Sequence, residues 1–560
     1  MRERHDVIAS RAYEAQEHGF RYLDSLQRPD SSWVGKLSSS AIATALSCLA
    51  LQMQPDPEVR ARVRPGLEWL IRTQHEDGSW GDAVTDPGAM NPTTLSAVAL
   101  HYCAPGEFED EVRRARRWAD EHGGFKLINT PFAMSMGGPV RCLYALVGWA
   151  DWKELTGIKP LPMEVILMPG RVRKTVSIVF SATLTVALWM EKMNPAPAWR
   201  QPIRRRAIRA SMDWLREAQD EGGSYGESAL LTAWSMIAHH HTDFGGEDEI
   251  VKKALPYVLN SQRPDGSWPI DRDLENFDTG QAVLAYEAER RPVPGGNRVR
   301  DWFLKNQYKE PCFHTSAPPG GWGWCHPGGW PDADDTSYTL RALRILGLPP
   351  EHESIRAGVG WLYQLQNSDG SWPTFVRNSK MPFDHDDPYI TAQVLSALAA
   401  VGEGRGKPAQ RALTYIRQRQ NADGSSDSLW FRRHTCGTWR LIEALADLGL
   451  EDDPMFPRAA EWLLTHQNED GGWGDGYEEP STAEETAWAT GALLRTEPAR
   501  FWRAIEGGIG WLVEHQREDG GWDENNVAIY YSFVIYSNAF YALSYPLIAL
   551  SRYLKSELAS

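Results

Sequence analysis

Gln366-Asn-Ser-Asp-Gly-Ser-Trp372 follows directly on Gly360-Trp-Leu-Tyr-Gln-Leu, a run with the apolar spacing of an amphipathic helix. The Asp-Gly pair stops that helix, because glycine accepts the positive φ of a helix end. The tryptophan then lies on a reversed chain. The phrase recurs as Gln74-His-Glu-Asp-Gly-Ser-Trp80, Gln262-Arg-Pro-Asp-Gly-Ser-Trp268, Gln467-Asn-Glu-Asp-Gly-Gly-Trp473 and Gln516-Arg-Glu-Asp-Gly-Gly-Trp522. Degenerate copies stand at 27–33, 219–225 and 420–424. The copies return roughly every 45–60 residues, the spacing of helix-pair repeats. Between them run small-residue helices such as Thr391-Ala-Gln-Val-Leu-Ser-Ala-Leu-Ala-Ala400. Outer and inner helices alternating around a ring make an αα-barrel, whose hollow centre is an apolar cavity. The indole is expected to stack over the glutamine amide and the start of the next helix, tying neighbouring repeats.

Composition narrows the function. The chain has 560 residues, 42% of them hydrophobic, enough for two domains of ordinary size. A formal net charge of −16 argues against a nucleic-acid partner, which needs a basic surface. The six cysteines are scattered without CxxC spacing, which suits reduced thiols and no structural zinc. No leader is read in the polar first residues, and two uncharged stretches fall short of spans. Residues 175–190 are too few; 527–550 carry serines, Asn538 and Pro546 and read as a buried, cavity-lining segment. A soluble cytoplasmic protein, at most peripheral to a membrane, is expected. Twenty-five tryptophans and 11% aromatic residues are the outstanding feature.

The repeated phrase resembles the QW motif of the squalene–hopene and oxidosqualene cyclases. Leu161-Pro-Met-Glu-Val-Ile-Leu-Met-Pro169 is similar to a proline-flanked stretch of that family, and Tyr545-Pro-Leu-Ile-Ala-Leu-Ser-Arg-Tyr553 to its last helix. The resemblance implies an all-α fold of two αα-barrels, residues 16–288 and 289–560. The junction is at Arg291-Pro-Val-Pro-Gly-Gly296, and an opening helix, 1–15, packs on the second barrel.

Pro331-Asp-Ala-Asp-Asp-Thr336, preceded by Pro318-Pro-Gly-Gly-Trp-Gly-Trp324, is the candidate catalytic motif. The aspartates also suit the cap of a helix. In the resembling family this pairing marks class II terpene cyclases, which open an isoprenoid cascade by protonating an alkene. Asp334 is then the donor, with Asp332 and Asp335 polarising it. Clustered carboxyls retain protons because like charges so close cannot all ionise. This step needs no cofactor. The migrating cation is stabilised by ring faces at about 0.5–2 kcal/mol each. Candidates are Trp322, Trp324, Phe277, Trp430, Tyr530, Tyr531, Phe533, Tyr536, Phe540 and Tyr541; ordinary core packing is the competing role for each.

Four departures bear on substrate. The chain is short for a squalene–hopene cyclase, and residues 527–534 differ from the family's C-terminal pattern. Gln393, in Ile390-Thr-Ala-Gln-Val-Leu395, stands where the family has a histidine beside the acid, so tuning is expected from Gln393 itself or from His434. The loop Gly170-Arg-Val-Arg-Lys174 is basic, and Arg171, Arg173 and Lys174 suit a diphosphate. Mg²⁺ would then bridge to Glu76, Asp77 or Asp82, acids that equally suit turns. The expected substrate is geranylgeranyl or farnesyl diphosphate, cyclised to a copalyl- or drimenyl-type product with the diphosphate retained. A squalene or polyprenyl cyclase is the alternative. A protein-prenyltransferase-like barrel and a non-catalytic repeat protein are the remaining readings. Oligomeric state is left open by the sequence.

Overall fold

The structure is a computed structural model; it describes residues 2–124, 137–152, 162–170, 177–326, 328–476, 479–530 and 534–559. It is helical, with three two-stranded ribbons of two or three residues per strand. Two units emerge: a larger one, Met1–Lys36, Asp273–Cys312 and Ser316–Ser560, and a smaller one, Leu37–Arg272 with Phe313–Thr315.

In the larger unit six inner helices close a ring: Glu275–Glu289, Ala333–Ile345, Pro388–Ala400, Thr435–Asp447, Ala483–Leu493 and Tyr541–Lys555, the last returning to the first. Each carries an outer helix: Gly296–Asn306, Glu353–Leu365, Lys407–Arg419, Met455–Thr465, Pro498–Glu514 and Arg2–Ser25. The smaller unit has its own cycle of inner helices, Ala41–Gln52, Met90–Cys103, Gly137–Leu146, Phe180–Met193 and Ala229–His240. The division falls at Arg272 and Asp273 rather than at 288, because Glu275–Glu289 packs between Ala333–Ile345 and Tyr541–Lys555 as a member of the larger ring. The opening helix runs to Ser25, beyond the expected residue 15, and rests on Tyr541–Lys555 and Pro498–Glu514.

The repeat works by hydrogen bonds, and its parts differ from the stacking expected of them. Gln366 Nε2 donates to Gly370 O at 2.9 Å within its own turn and to Pro408 O at 2.8 Å in the next outer helix. The Trp372 indole N–H turns back to Leu362 O of the preceding helix at 2.7 Å, while its backbone N–H donates to Thr391 Oγ1 at 3.0 Å on the inner helix. Glutamine therefore joins outer helix to outer helix, and tryptophan joins outer to inner. The pattern repeats at Gln74, Gln262, Gln467 and Gln516. It also appears at Gln307 and Trp322, where 13 residues rather than 4 separate the glutamine from its glycine. That insertion hides the copy from a search for the contiguous phrase.

Gly370 has φ +98°, and a Cβ there would lie 2.6 Å from Arg411 O. Gly370→Ala is expected to destabilise the larger unit by about 1–3 kcal/mol, read as a lower denaturant midpoint. An unchanged midpoint would mean that the turn shifts freely.

Among the described residues no helix is long and apolar enough to cross a membrane. The described part of 527–550 holds the strands Ala528–Tyr530 and Val534–Tyr536 and the start of helix Tyr541–Lys555.

Candidate active site

Helix Ala333–Ile345 starts where the motif places it. Asp332 is its N-cap, accepting the Asp335 backbone N–H at 2.7 Å, and Asp334 and Asp335 occupy the first turn. Asn276, from the neighbouring inner helix, donates Nδ2 to Asp335 Oδ1 at 3.1 Å and to Thr339 Oγ1 at 3.0 Å. Two of the three carboxyls are thus fixed by hydrogen bonds and almost fully buried, at 2% exposure for Asp332 and 4% for Asp335. Asp334 differs. It keeps accessible surface, that surface belongs to a cavity wall, and its Oδ1 has no hydrogen-bond partner among the described residues.

Burial dominates the acidity of all three. Asp332 is raised well above the usual carboxylate range by desolvation and by the charge of Asp335. Asp334 is raised likewise by desolvation and by Asp335, against a lowering by the Arg440 guanidinium. Asp335 is pushed up to about 6 by desolvation, its bonds to Asn276 and Asp332 opposing the shift. Burial and the neighbouring Asp335 charge thus both favour the protonated form of the Asp334 carboxyl. The N-terminus of its own helix favours the carboxylate that remains after transfer.

The cavity is walled by aromatic rings. Trp324, Phe277, Trp430, Tyr530, Tyr536 and Tyr541 line it together with the three aspartates, and Phe375 and Phe431 join them. The rings are in mutual contact: Trp324 to Phe375 and Phe375 to Trp430 at 6.0 Å between centroids, Trp430 to Tyr530 at 5.7 Å, Phe277 to Tyr541 at 5.3 Å. A short ribbon holds one wall in place, since Ile529 N–H donates to Trp430 O and Arg432 N–H to Val527 O, both at 2.9 Å.

Several candidates lie elsewhere. Trp322 is a staple, its indole bonded to Phe303 O at 2.7 Å and its ring fully buried. Phe540 is the N-cap of Tyr541–Lys555, its N–H donating to Asn538 Oδ1 at 2.9 Å. Tyr531, Phe533, Arg171, Arg173 and Lys174 lie outside the described residues. Gln393 is fully buried and accepts from Arg440 Nη1. His434 sits at the start of its helix, 3.0 Å from Asp427, whose hydrogen bond raises its pKa, as do the charges of Asp423 and Asp475.

The acids named for a cation do not fit one. Asp77 accepts from the Ser79 hydroxyl and N–H at 2.7 and 2.9 Å and closes its turn. Asp82 accepts from Ser40 Oγ at 2.8 Å and Ile42 N–H at 3.0 Å, holding the start of Ala41–Gln52, and burial pushes it up to about 7. Glu76 is exposed. Among the described residues no three His, Cys, Asp or Glu side chains gather as a metal site.

Sequence signals for what was missed exist in part. Asn276, Arg440 and Glu443 are polar residues inside otherwise buried inner helices. Phe375 and Phe431 are aromatics close to Trp372 and Trp430 in the chain.

Residues 17–182 match the squalene-hopene cyclase N-terminal domain and residues 275–555 the squalene-hopene cyclase C-terminal domain. A "probable squalene–hopene cyclase" of Sinorhizobium fredii is 35% identical, with 95% of each chain covered. A drimenyl diphosphate synthase of Streptomyces showdoensis is 31% identical over 51% of this chain and 52% of its own. In fold, the chain is similar to the ent-copalyl diphosphate synthase of Streptomyces platensis, with a TM-score of 0.63 at 20% identity, covering 97% of this chain and 99% of that one.

Proposed function

Because the chain belongs to the squalene–hopene cyclase family of class II terpene cyclases, we propose that Asp334 protonates the terminal alkene of a linear isoprenoid inside the larger barrel. The observation that carries this reading is one carboxyl. Asp334 is raised well above the usual carboxylate range by burial, lines an aromatic cavity, and has an oxygen, Oδ1, without a hydrogen-bond partner among the described residues. The O–H bond breaks as a C–H bond forms at the terminal alkene carbon, and the positive charge appears on the substituted carbon beside it. Trp324, Phe375, Trp430 and Tyr530 then offer ring faces to the cation as it moves, and none of their atoms traps it as a carboxylate or amine would. Asp332 and Asp335 stay behind the reacting carboxyl, each already held by the hydrogen bonds described.

The substrate proposed is a prenyl diphosphate of farnesyl or geranylgeranyl length, with the diphosphate retained in the product. The similarity to a drimenyl diphosphate synthase supports it, as does the basic stretch at Arg171, Arg173 and Lys174. A squalene substrate is the second reading, favoured by the Sinorhizobium relative that matches over nearly the whole of both chains. No step is assigned to a metal, since Glu76, Asp77 and Asp82 do not converge on one.

Purified enzyme supplied separately with farnesyl diphosphate, geranylgeranyl diphosphate and squalene, each with and without Mg²⁺, separates the readings. A cyclic alcohol after phosphatase treatment, seen by gas chromatography–mass spectrometry, is the expected product from a prenyl diphosphate. Cyclic product from squalene alone would overturn the diphosphate assignment and leave the protonation step standing.

A further inference from the structure

One helical turn beyond the acid, the inner helices of the larger barrel present a second, polar layer. Asp334 and Tyr338 share a face at i and i+4, as do Tyr389 and Gln393, Cys436 and Arg440, and Tyr541 and Tyr545. Members of the second layer are joined. Gln281 Nε2 donates to the Tyr545 hydroxyl at 2.9 Å, the Tyr338 and Tyr545 hydroxyls stand 3.4 Å apart, and Arg440 Nη1 donates to Gln393 Oε1. Arg440 is 2% exposed, lies 4.0 Å over the Trp439 ring, and its Nε has no hydrogen-bond partner among the described residues. A buried guanidinium with a spare donor is costly unless negative charge stands near it.

We propose that Arg440 is a positioning residue of the protonation step: held by Gln393, it supplies the fixed positive charge that stabilises the Asp334 carboxylate once its proton has passed to the substrate. This rests on Asp334 being the acid. When the Asp334 O–H bond breaks and the new C–H bond takes the proton, an anion is left facing a newly formed carbocation across an apolar cavity. Unless that anion is stabilised, return of the proton competes with ring closure. A guanidinium already in place does this without reorganisation and stays charged at every working pH. The Tyr389 hydroxyl interacts with the same carboxyl and also favours its charged form.

The charges facing the pair come from several elements. Asp334 feels Asp335 on its own helix, Asp387 and Tyr389 from Pro388–Ala400, and Arg440; it acts in turn on Cys436. Asp332 lies on the same turn. Arg440 faces Tyr338 and Arg341 from the acid's helix, and Tyr389 from the next. It also meets Glu443 and Asp447 on its own helix, with Arg495 and Tyr545 beyond. Of these, Arg440 is the cation that lowers Asp334.

The test compares Arg440→Gln, Gln393→Glu and Arg440→Lys with the wild type in kcat and KM across pH, with circular dichroism to confirm folding. Arg440→Gln is expected to lower kcat roughly tenfold or more with KM unchanged. It should also move the alkaline, descending limb of the kcat profile upward by about one pH unit, since the acid has lost the cation that lowers it. Gln393→Glu, nearly isosteric, places a carboxylate on Arg440 and should move the limb the same way, so it carries the test if Arg440→Gln does not fold. Arg440→Lys should recover part of the rate. A folded Gln393→Glu or Arg440→Gln enzyme with an unmoved limb overturns the inference. Asp334→Asn as a parallel arm keeps two failures apart. If it still turns over, the acid itself is misassigned; if it is inactive and the limb stays put, the role of Arg440 alone falls.

Discussion

Asp334→Asn should lower turnover by at least about 10³-fold with substrate binding retained, because the amide offers shape and a hydrogen bond but no transferable acidic proton. The same substitution should make the protein more stable. A carboxyl whose folded-state pKa is raised binds its proton more tightly folded than unfolded. Stability therefore falls as pH rises from the unfolded value, 3.8, toward the folded one. The amide has no such dependence. The melting temperature of the variant should exceed that of the wild type by on the order of 1–3 °C at pH 8 and by less at pH 5. A variant that is inactive but no more stable at either pH would show that burial does not hold the proton on Asp334. A variant that turns over normally would remove Asp334 from the chemistry.

The largest stability effect is expected at a residue that does not line the cavity. Glu443 is fully buried on Thr435–Asp447 and accepts from Arg552 Nη2 at 2.9 Å and from Arg552 Nη1, with Arg495 at 3.5 Å. Burial alone would raise its pKa, yet Arg552 and Arg495 hold the carboxyl well below the usual range. The cluster ties Thr435–Asp447 to Tyr541–Lys555 and to the chain just past Ala483–Leu493. Glu443→Gln leaves Arg552 without its carboxylate and Arg495 with Asp447 alone, at 3.0 Å. Because their side chains are 22% and 29% exposed, water softens the loss, and about 2–3 kcal/mol of destabilisation is expected rather than the full cost of a buried pair. Denaturant titration reads it directly. The sign with pH is opposite to that of Asp334: a depressed carboxyl contributes stability above its unfolded value, 4.5, and loses it as pH falls below. The gap between wild type and variant should therefore narrow in acid. A gap that is the same at pH 4 and pH 7 would assign the loss to packing.

Much of this architecture is legible in the chain because its signals are local. A contiguous Gln-to-Trp phrase names both the helix end and the turn, and Asp332 to Asp335 lie within one helical turn. The Gln307–Trp322 copy is not legible in that way. An insertion separates its two halves, and Trp322, whose backbone pairs with Asp332 beside the acid, has its indole taken up by the staple to Phe303. Arg440 escapes for a different reason. A lone arginine in Thr-Cys-Gly-Thr-Trp-Arg-Leu-Ile-Glu looks like a solvent-facing charge until the ring of helices turns that face inward. Gln393 was singled out as a position, but its partner comes from the next helix of the ring, a distance in sequence that no local pattern spans. Phe375 and Phe431 enter the cavity through the loops that close it, where chain direction depends on tertiary contacts.

The staple from Gln516 Nε2 to Ala15 O joins residues 501 apart, and everything in the smaller unit from Leu37 to Arg272 is made between them. During synthesis at about 5–20 residues per second, helix Arg2–Ser25 waits roughly 25–100 s for the partner that covers it. About half-way through that interval Leu37–Arg272 has been made, while the opening helix still has neither of its neighbours, Pro498–Glu514 and Tyr541–Lys555. A chain in mid-synthesis therefore carries this helix without the two that cover it.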